Sequence, residues 1–275
     1  MNRDKYRKAW LRAHKGYERK MLNIFRRYFI TEANKIPFDF LTEENYTETI
    51  KNNIAIYGLY NAYYDAYNQI GLIHGNRVGK AINRDIKEFN PIIFQSEYQR
   101  GLFNWILDNV GYRIVSVYSE YVKYIQRLMA SGLVEGKTIR QVSADVYKLI
   151  NNRNFYRWQA MRIVRTESTA AANRASIVAG NTSSIVYEKI WISGHDARVR
   201  HLPNDTFDHR VMDGVKVDKD DFFKIPSKYG FEFLEYPGAD KTKEGRQSSA
   251  GNVINCRCNS ALIPKRDKNG KLIRI

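Results

Sequence analysis

Apolar positions at Trp10, Leu11, Met21, Leu22, Ile24, Phe25, Tyr28 and Phe29 recur at helical spacing, predicting one long helix over residues 1–36. Its opposite face is basic, and Pro37 ends it. In residues 43–75, Tyr57, Tyr60, Tyr63, Tyr64 and Tyr67 follow one another in steps that place most rings on one side of a second helix. Such a stripe packs in a core with its hydroxyls at the edge, or stacks on nucleic-acid bases. Packing is the expectation, because Tyr commonly serves as an amphipathic core residue. Gly75-Asn76 reads as a turn, residues 77–88 as a short charged helix and Asn90-Pro91 as a second break. A helical pattern over 92–129 is interrupted near Gly111, and Ser131-Gly132 with Glu135-Gly136-Lys137 reads as a loop. Thr138 and Gln141 have the spacing of a capping box that opens a helix to about residue 150. Residues 157–179 form the clearest helix, with Met161, Val164, Ala171, Ala175 and Val178 along one side. Gly180-Asn181 is its expected stop. Ser168, Ala170, Ala171, Ala172, Ala175 and Ser176 leave room for a close neighbour.

After Gly180 the pattern changes from helical to β-type. Residues 184–192 are rich in β-branched and aromatic side chains and predict a strand. Residues 211–217 read as a hairpin turning on Asp213-Gly214. The stretch 225–236 is mixed and broken by Pro226 and Pro237, 240–251 is polar and flexible, and 254–263 predicts one more strand. The fold class is therefore α+β: a long-helix N-terminal region followed by a small α/β C-terminal domain with a short sheet. The expected division is a helical, basic, Tyr-rich region over 1–150, an α/β domain over 151–265 and a basic tail over 266–275. No internal repeat is visible.

A chain of 275 residues with 43% hydrophobic content is long and apolar enough to bury real cores. Its formal net charge of +16 points to a polyanionic partner or an acidic protein surface. The first 36 residues alone carry eleven Lys and Arg against three acids. That helix is either a solvated charged face or one that meets phosphates or an acidic partner. The charge-free run 52–64 is too short to span a bilayer, and no secretory signal is expected at the N-terminus. Two cysteines one residue apart cannot staple a fold, so an intracellular, reducing origin is the default.

Candidate chemistry gathers in the last quarter of the chain. Trp191-Ile-Ser-Gly-His-Asp196-Ala-Arg198-Val-Arg200 is followed by His209, by Asp213-Gly214, and finally by Asn255-Cys256-Arg257-Cys258. If Cys-Arg-Cys is a strand, both thiols share a face with Arg257 opposite. A disulfide between residues i and i+2 would be strained. Two thiolates on one face suit a soft metal such as zinc, with His209 as a third ligand and Asp196 or His201 as the fourth. The alternative is two reduced cysteines packed as small apolar groups. On an extended segment Asp196, Arg198 and Arg200 share a face. They form either a salt-bridge network that fixes a loop or an anion-binding patch. Asp213-Gly214 is most simply turn chemistry. A Cys-His dyad has no third orienting residue or elbow motif here.

The order Asp-x-Arg-x-Arg, His, Asp-Gly, Asn-Cys-Arg-Cys resembles the Mu-F-like family of phage minor head proteins. The preceding helix, with Arg165-Thr166-Glu167-Ser168 and then Ala172-Asn173-Arg174-Ala175, resembles that family's Arg-Thr-Glu helix, and the loop Gly136-Lys137-Thr138 also fits. The resemblance covers residues 135–265. Matching positions are Arg165, Thr166, Glu167, Asn173, Asp196, Arg198, Arg200, His209, Asp213, Gly214, Asn255, Cys256, Arg257 and Cys258. A longer insert between Arg200 and His209 adds His201 and favours His209 as the ligand. The resemblance implies a few-copy head-morphogenesis protein in the virion, at the capsid interior or portal vertex, and in the host cytoplasm during assembly. Implied partners are the portal protein, capsid or scaffold proteins, and packaged double-stranded DNA.

Two other classes stay open on sequence alone. One is an enzyme, either a metal-dependent nuclease or an ADP-ribosyltransferase-like protein. The other is a plain nucleic-acid-binding module led by the basic N-terminal helix.

Overall fold

The computed structural model describes residues 2–84, 86, 90–152 and 155–274. Among the described residues, eight α-helices and five strands follow one another: α1 (Arg3–Ala33), α2 (Tyr46–Asn53), α3 (Ile56–Ile82), α4 (Pro91–Asn109), α5 (Gly111–Val134), α6 (Ile139–Asn151), α7 (Phe155–Thr182), β1 (Tyr187–Ile192), β2 (Lys216–Asp218), β3 (Phe223–Ser227), β4 (Gly230–Leu234), α8 (Ala250–Val253) and β5 (Asn259–Pro264). The chain is α+β, with long helices first and a small antiparallel sheet last. It divides into two compact units that draw on separate stretches of sequence. One comprises residues 1–19, 67–106 and 162–275; the other comprises 20–66 and 107–161.

The second of these units is helical. Phe25 meets the Tyr63 ring edge-on at 4.9 Å, and Phe29 packs on Tyr121, whose hydroxyl donates to the Phe29 carbonyl at 2.7 Å. The start of α3 is pinned from α1: Glu32 accepts from the Ala55 amide at 2.7 Å, and Tyr28 donates to the Ala55 carbonyl at 2.9 Å. The capping box at Thr138 forms as its spacing predicts, with side chain and backbone of Thr138 and Gln141 bonding reciprocally. The expected break near Gly111 separates α4 from α5. Ser131-Gly132, read as loop, lies inside α5 instead; Gly132 is the face on which Val142 of α6 packs. The loop is confined to residues 135–138, where Gly136 takes φ +79°.

In the first unit the turn expected at Gly75-Asn76 is also helix, since α3 runs on to Ile82. Gly71, Gly75 and Gly79 make a groove along α3, and Leu102, Tyr98 and Phe94 of α4 fill it. Tyr98 donates to the Gly71 carbonyl. These glycines serve close packing rather than chain reversal. Part of the charged helix expected over 77–88 lies outside the described residues. The break at Asn90 holds: its side chain accepts from the Ile92 and Ile93 amides at the head of α4. Helix α7 passes its expected stop and ends at Thr182, with Gly180 lying against Tyr187 and Leu262.

The tyrosine stripe divides. Tyr63 and Tyr67 are fully buried, whereas Tyr57, Tyr60 and Tyr64 face outward. Tyr67 donates to Glu167 at 2.6 Å.

The sheet has the order β2-β1-β5, all antiparallel, with Lys189 opposite Val217 and Leu262, and Ile190 opposite Ala261. Strands β3 and β4 form a separate hairpin. The pattern over 225–236 is mixed because Pro226 and Pro237 interrupt it, yet Pro226 is accommodated near the turn end of this two-stranded ladder. The hairpin expected over 211–217 is absent. Residues 211–214 are turn, Gly214 takes φ +88°, and β2 pairs with β1. The strand expected over 254–263 begins only at Asn259, so the Asn255–Cys258 segment is irregular backbone. The apolar core of this unit joins Ile177, Trp191, Phe223, Ile225, Leu234 and both cysteines.

Candidate metal centre

One face of α7 holds the Asn255–Cys258 segment. Thr166 Oγ1 accepts from the Asn255 amide at 3.0 Å, Thr169 donates to the Cys256 carbonyl, and Asn173 Nδ2 donates to the Cys258 carbonyl at 3.1 Å. Asn173 Oδ1 also accepts from Ser260 N at 2.8 Å and Asn259 Nδ2 at 2.9 Å. Positions 166, 169 and 173 are one and two turns apart, so a single helix face carries all these bonds. They explain how backbone outside the sheet is satisfied while buried. Asn255 adopts φ +57°, a left-handed conformation that Asn tolerates.

That bend aims both sulfurs at one histidine. His209 Nδ1 stands 3.6 Å from Cys256 Sγ and 3.7 Å from Cys258 Sγ. All three side chains are buried, and their ligand atoms lie within 4.8 Å of one another. His209 Nε2 meets Asn252 Oδ1 at 3.0 Å, and the imidazole packs edge-on to Trp191. Hydrogen bonding from Cys256 holds the Cys258 thiol well below its usual range against the opposing effect of burial, with His209 adding to the lowering. The hydrogen bond to Cys258 and burial push Cys256 up. Burial acts to lower His209, but Cys258 and Asn252 together raise it.

The donor set fits a thiophilic divalent ion. With metal–sulfur bonds of about 2.3 Å and metal–nitrogen bonds of about 2.0–2.1 Å at tetrahedral angles, sulfur and nitrogen ligands stand about 3.5–3.6 Å apart. The two observed separations match that edge within about 0.2 Å. The ligating group that converges among the described residues is His209, Cys256 and Cys258. Asp196 and His201, expected as alternatives for a fourth ligand, are placed elsewhere. Asp196 accepts from Arg257 Nη2 at 2.6 Å and from the Arg198 amide at 2.9 Å. Part burial pushes its carboxyl up, but Arg257 and Arg198 hold it below the usual value. His201 Nδ1 lies 2.9 Å from the Val199 carbonyl.

Asp196, Arg198 and Arg200 do not line one extended face, because residues 196–199 turn. Arg200 pairs with Asp205 at 3.2 Å instead. The ion pairs this run forms are Asp196–Arg257, Asp196–Arg198 and Arg200–Asp205. Asp213 does more than turn the chain: it accepts from the Ser193 amide at 2.9 Å and pairs with Arg7 at 2.8 Å. Gly214 leaves the space that Arg3 occupies. Arg165 pairs with Glu18 at 3.5 Å, and the Arg257 carbonyl accepts from Trp10 Nε1 at 2.8 Å. Trp10, Arg7 and Asn252 carried no motif signal, since only the fold brings them to this site.

The sequence profile described as "Phage Mu protein F like protein" matches residues 123–261, half of the chain. The chain belongs to the phage Mu protein F-like family. It is a phage head-morphogenesis protein, and its Arg-Thr-Glu helix and Asn-Cys-Arg-Cys segment are the two halves of the contact just described. No curated protein and no solved structure matches the chain significantly. Among the described residues no helix is long and apolar enough to cross a membrane.

Proposed function

We propose that this Mu-F-like protein is a minor head protein of the virion, placed inside the capsid at the portal vertex, where it contacts the portal protein and packaged double-stranded DNA during head assembly or DNA delivery. Family membership supports the virion placement. The observation that supports DNA contact is a row of exposed cations on α1: Lys5, Lys8, Arg12, Lys15 and Arg19. At 100° per residue these five fall within an arc of about 80°, along about 21 Å of helix. Asp4 and Glu18 lie outside the arc and are engaged with Arg7 and Arg165. A linear cation row suits a phosphate backbone, whose binding is sequence-independent and falls steeply with salt.

Zinc held by His209, Cys256 and Cys258 is the proposed stabiliser of the family domain. Burial of all three ligands favours a structural ion over a catalytic one, which needs a substrate-accessible position.

Three experiments test this reading. Metal analysis of purified protein is expected to give stoichiometric zinc, lost in Cys256→Ser; protein without zinc overturns the structural role. Duplex binding titrated against salt is expected to show a slope of about −4 to −5 in log K against log salt if all five cations meet phosphates. A K8E/R12E/K15E variant should lose most of that slope. Unchanged binding in the variant removes α1 from the interface, and particles assembled normally without this chain remove the assembly role.

A further inference from the structure

The hydrogen-bond partners behind His209 form a chain that ends on a carboxylate. Glu232 on β4 accepts from Ser249 N at 3.1 Å and from Ser249 Oγ, so its headgroup is fixed. Its other oxygen accepts from Asn252 Nδ2 at 2.8 Å. A carboxylate accepts and does not donate, so the amide NH2 of Asn252 must face Glu232. Asn252 Oδ1 must then face His209 Nε2, at 3.0 Å. An amide oxygen only accepts, so Nε2 carries a proton, and in the neutral ring Nδ1 keeps its lone pair. Nδ1 is the nitrogen aimed at the two sulfurs. Asn252 is fully buried, so solvent does not compete for these bonds.

We infer that Asn252 and Glu232 are positioning residues of the metal centre: they fix His209 as the Nε2-protonated tautomer with Nδ1 presented as the ligating atom. This rests on the reading of the trio as a zinc site, but the tautomer is a property of the metal-free protein too. The pair links three segments that are distant in sequence, namely β4, α8 and the loop before β2, and none of the three carries a cysteine. Partners of this kind raise ligand basicity and restrict the ring, and their loss costs about 10- to 100-fold in metal affinity.

Three measurements on the full chain test the inference. Long-range 1H–15N spectra of metal-free protein are expected to show His209 protonated at Nε2, and mixed tautomers in Asn252→Ala. Zinc affinity by chelator competition is expected to fall about 10- to 100-fold in Asn252→Ala and less in Glu232→Gln, which keeps the shape but frees the amide to turn. Cobalt substitution should retain thiolate-to-metal charge-transfer bands in both variants, showing that the ligand set is intact. A neutral His209 that carries its proton on Nδ1 in the wild type, or affinity within twofold of wild type in Asn252→Ala, overturns the inference. A wild-type chain that binds no zinc yet shows the fixed Nε2 tautomer overturns the metal reading and supports the positioning.

Discussion

Lowering the pH from 7 to 5 should destabilise the unit built on residues 1–19, 67–106 and 162–275 through two buried histidines. His14 Nε2 lies 2.9 Å from Thr169 Oγ1 and 3.1 Å from Ser168 Oγ. Both hydroxyls spend their protons on carbonyls, of Cys256 and Arg165, so the ring proton is on Nε2. His74 is arranged alike: Nε2 meets Ser176 Oγ at 3.0 Å, Ser176 donates to the Ala172 carbonyl, and Tyr17 donates to His74 Nδ1 at 3.1 Å. Burial, followed by Arg257 and Arg165, pushes His14 down to about 3; burial and Arg77 push His74 down to about 3. A neutral ring in the folded state and an ordinary one in the unfolded state means that unfolding takes up protons below about pH 6.5. Stability is therefore present above that pH and lost as pH falls toward 3. From the two pKa values the loss between pH 7 and 5 is about 2 kcal/mol per histidine, about 4 kcal/mol together. It would be almost the same if the folded values were one unit higher, because at pH 5 only the unfolded state titrates. His209, raised instead, contributes stability as pH falls from 7 toward 6.5, which opposes part of the loss at the neutral end of this window. Glu18, raised by burial, opposes the loss at the acidic end. Urea unfolding at pH 7, 6 and 5, with zinc held constant, measures the slope. A double variant, His14→Gln with His74→Gln, should flatten it. A slope below one proton taken up between pH 6 and 5, or imidazole resonances of His14 and His74 that titrate near 6.5 in folded protein, would refute the reasoning.

Three further outcomes follow from particular contacts. Gly75→Ala places a methyl on the Tyr98 ring and should cost about 1–3 kcal/mol by chemical denaturation; a neutral change would mean that α3 and α4 separate readily there. Thr138→Ala removes the side-chain half of a formed capping box and should cost about 1 kcal/mol, read as a lower thermal midpoint with unchanged zinc content. Stripping zinc with a strong chelator should destabilise the family domain by about 4 kcal/mol on loop-closure entropy alone, because His209 and Cys256 are 47 positions apart. Identical unfolding curves with and without chelator would contradict a structural ion.

The helices were legible where the signal was local. Thr138 and Gln141 bond as their spacing demands, and the apolar period of residues 1–36 gives α1. The misreadings cluster at glycines. Gly75, Gly132 and Gly180 look like breaks in one dimension, but each sits inside a helix against a bulky partner from elsewhere. Glycine's lack of a side chain serves a turn and a close helix contact equally, and the partner is not local. The β3–β4 hairpin was missed for a related reason: Pro226 argues against a strand unless the strand is on an edge, and edges exist only once the sheet is assembled.

The sequence by itself determined the α+β order, the family, and the three side chains able to bind a soft metal, since these depend on residue type and spacing. Tertiary structure decided what those side chains do. It separated Asp196 and His201 from the cysteines by committing them to Arg257 and to a backbone carbonyl. It turned the Arg-Thr-Glu helix into the clamp on Asn255–Cys258, and it supplied Asn252 and Glu232 behind His209. Apart from the His201 contact to Val199, each of these is a hydrogen bond between residues far apart along the chain. Such a bond forms only where burial removes water as the competing partner, and burial is a property of the fold.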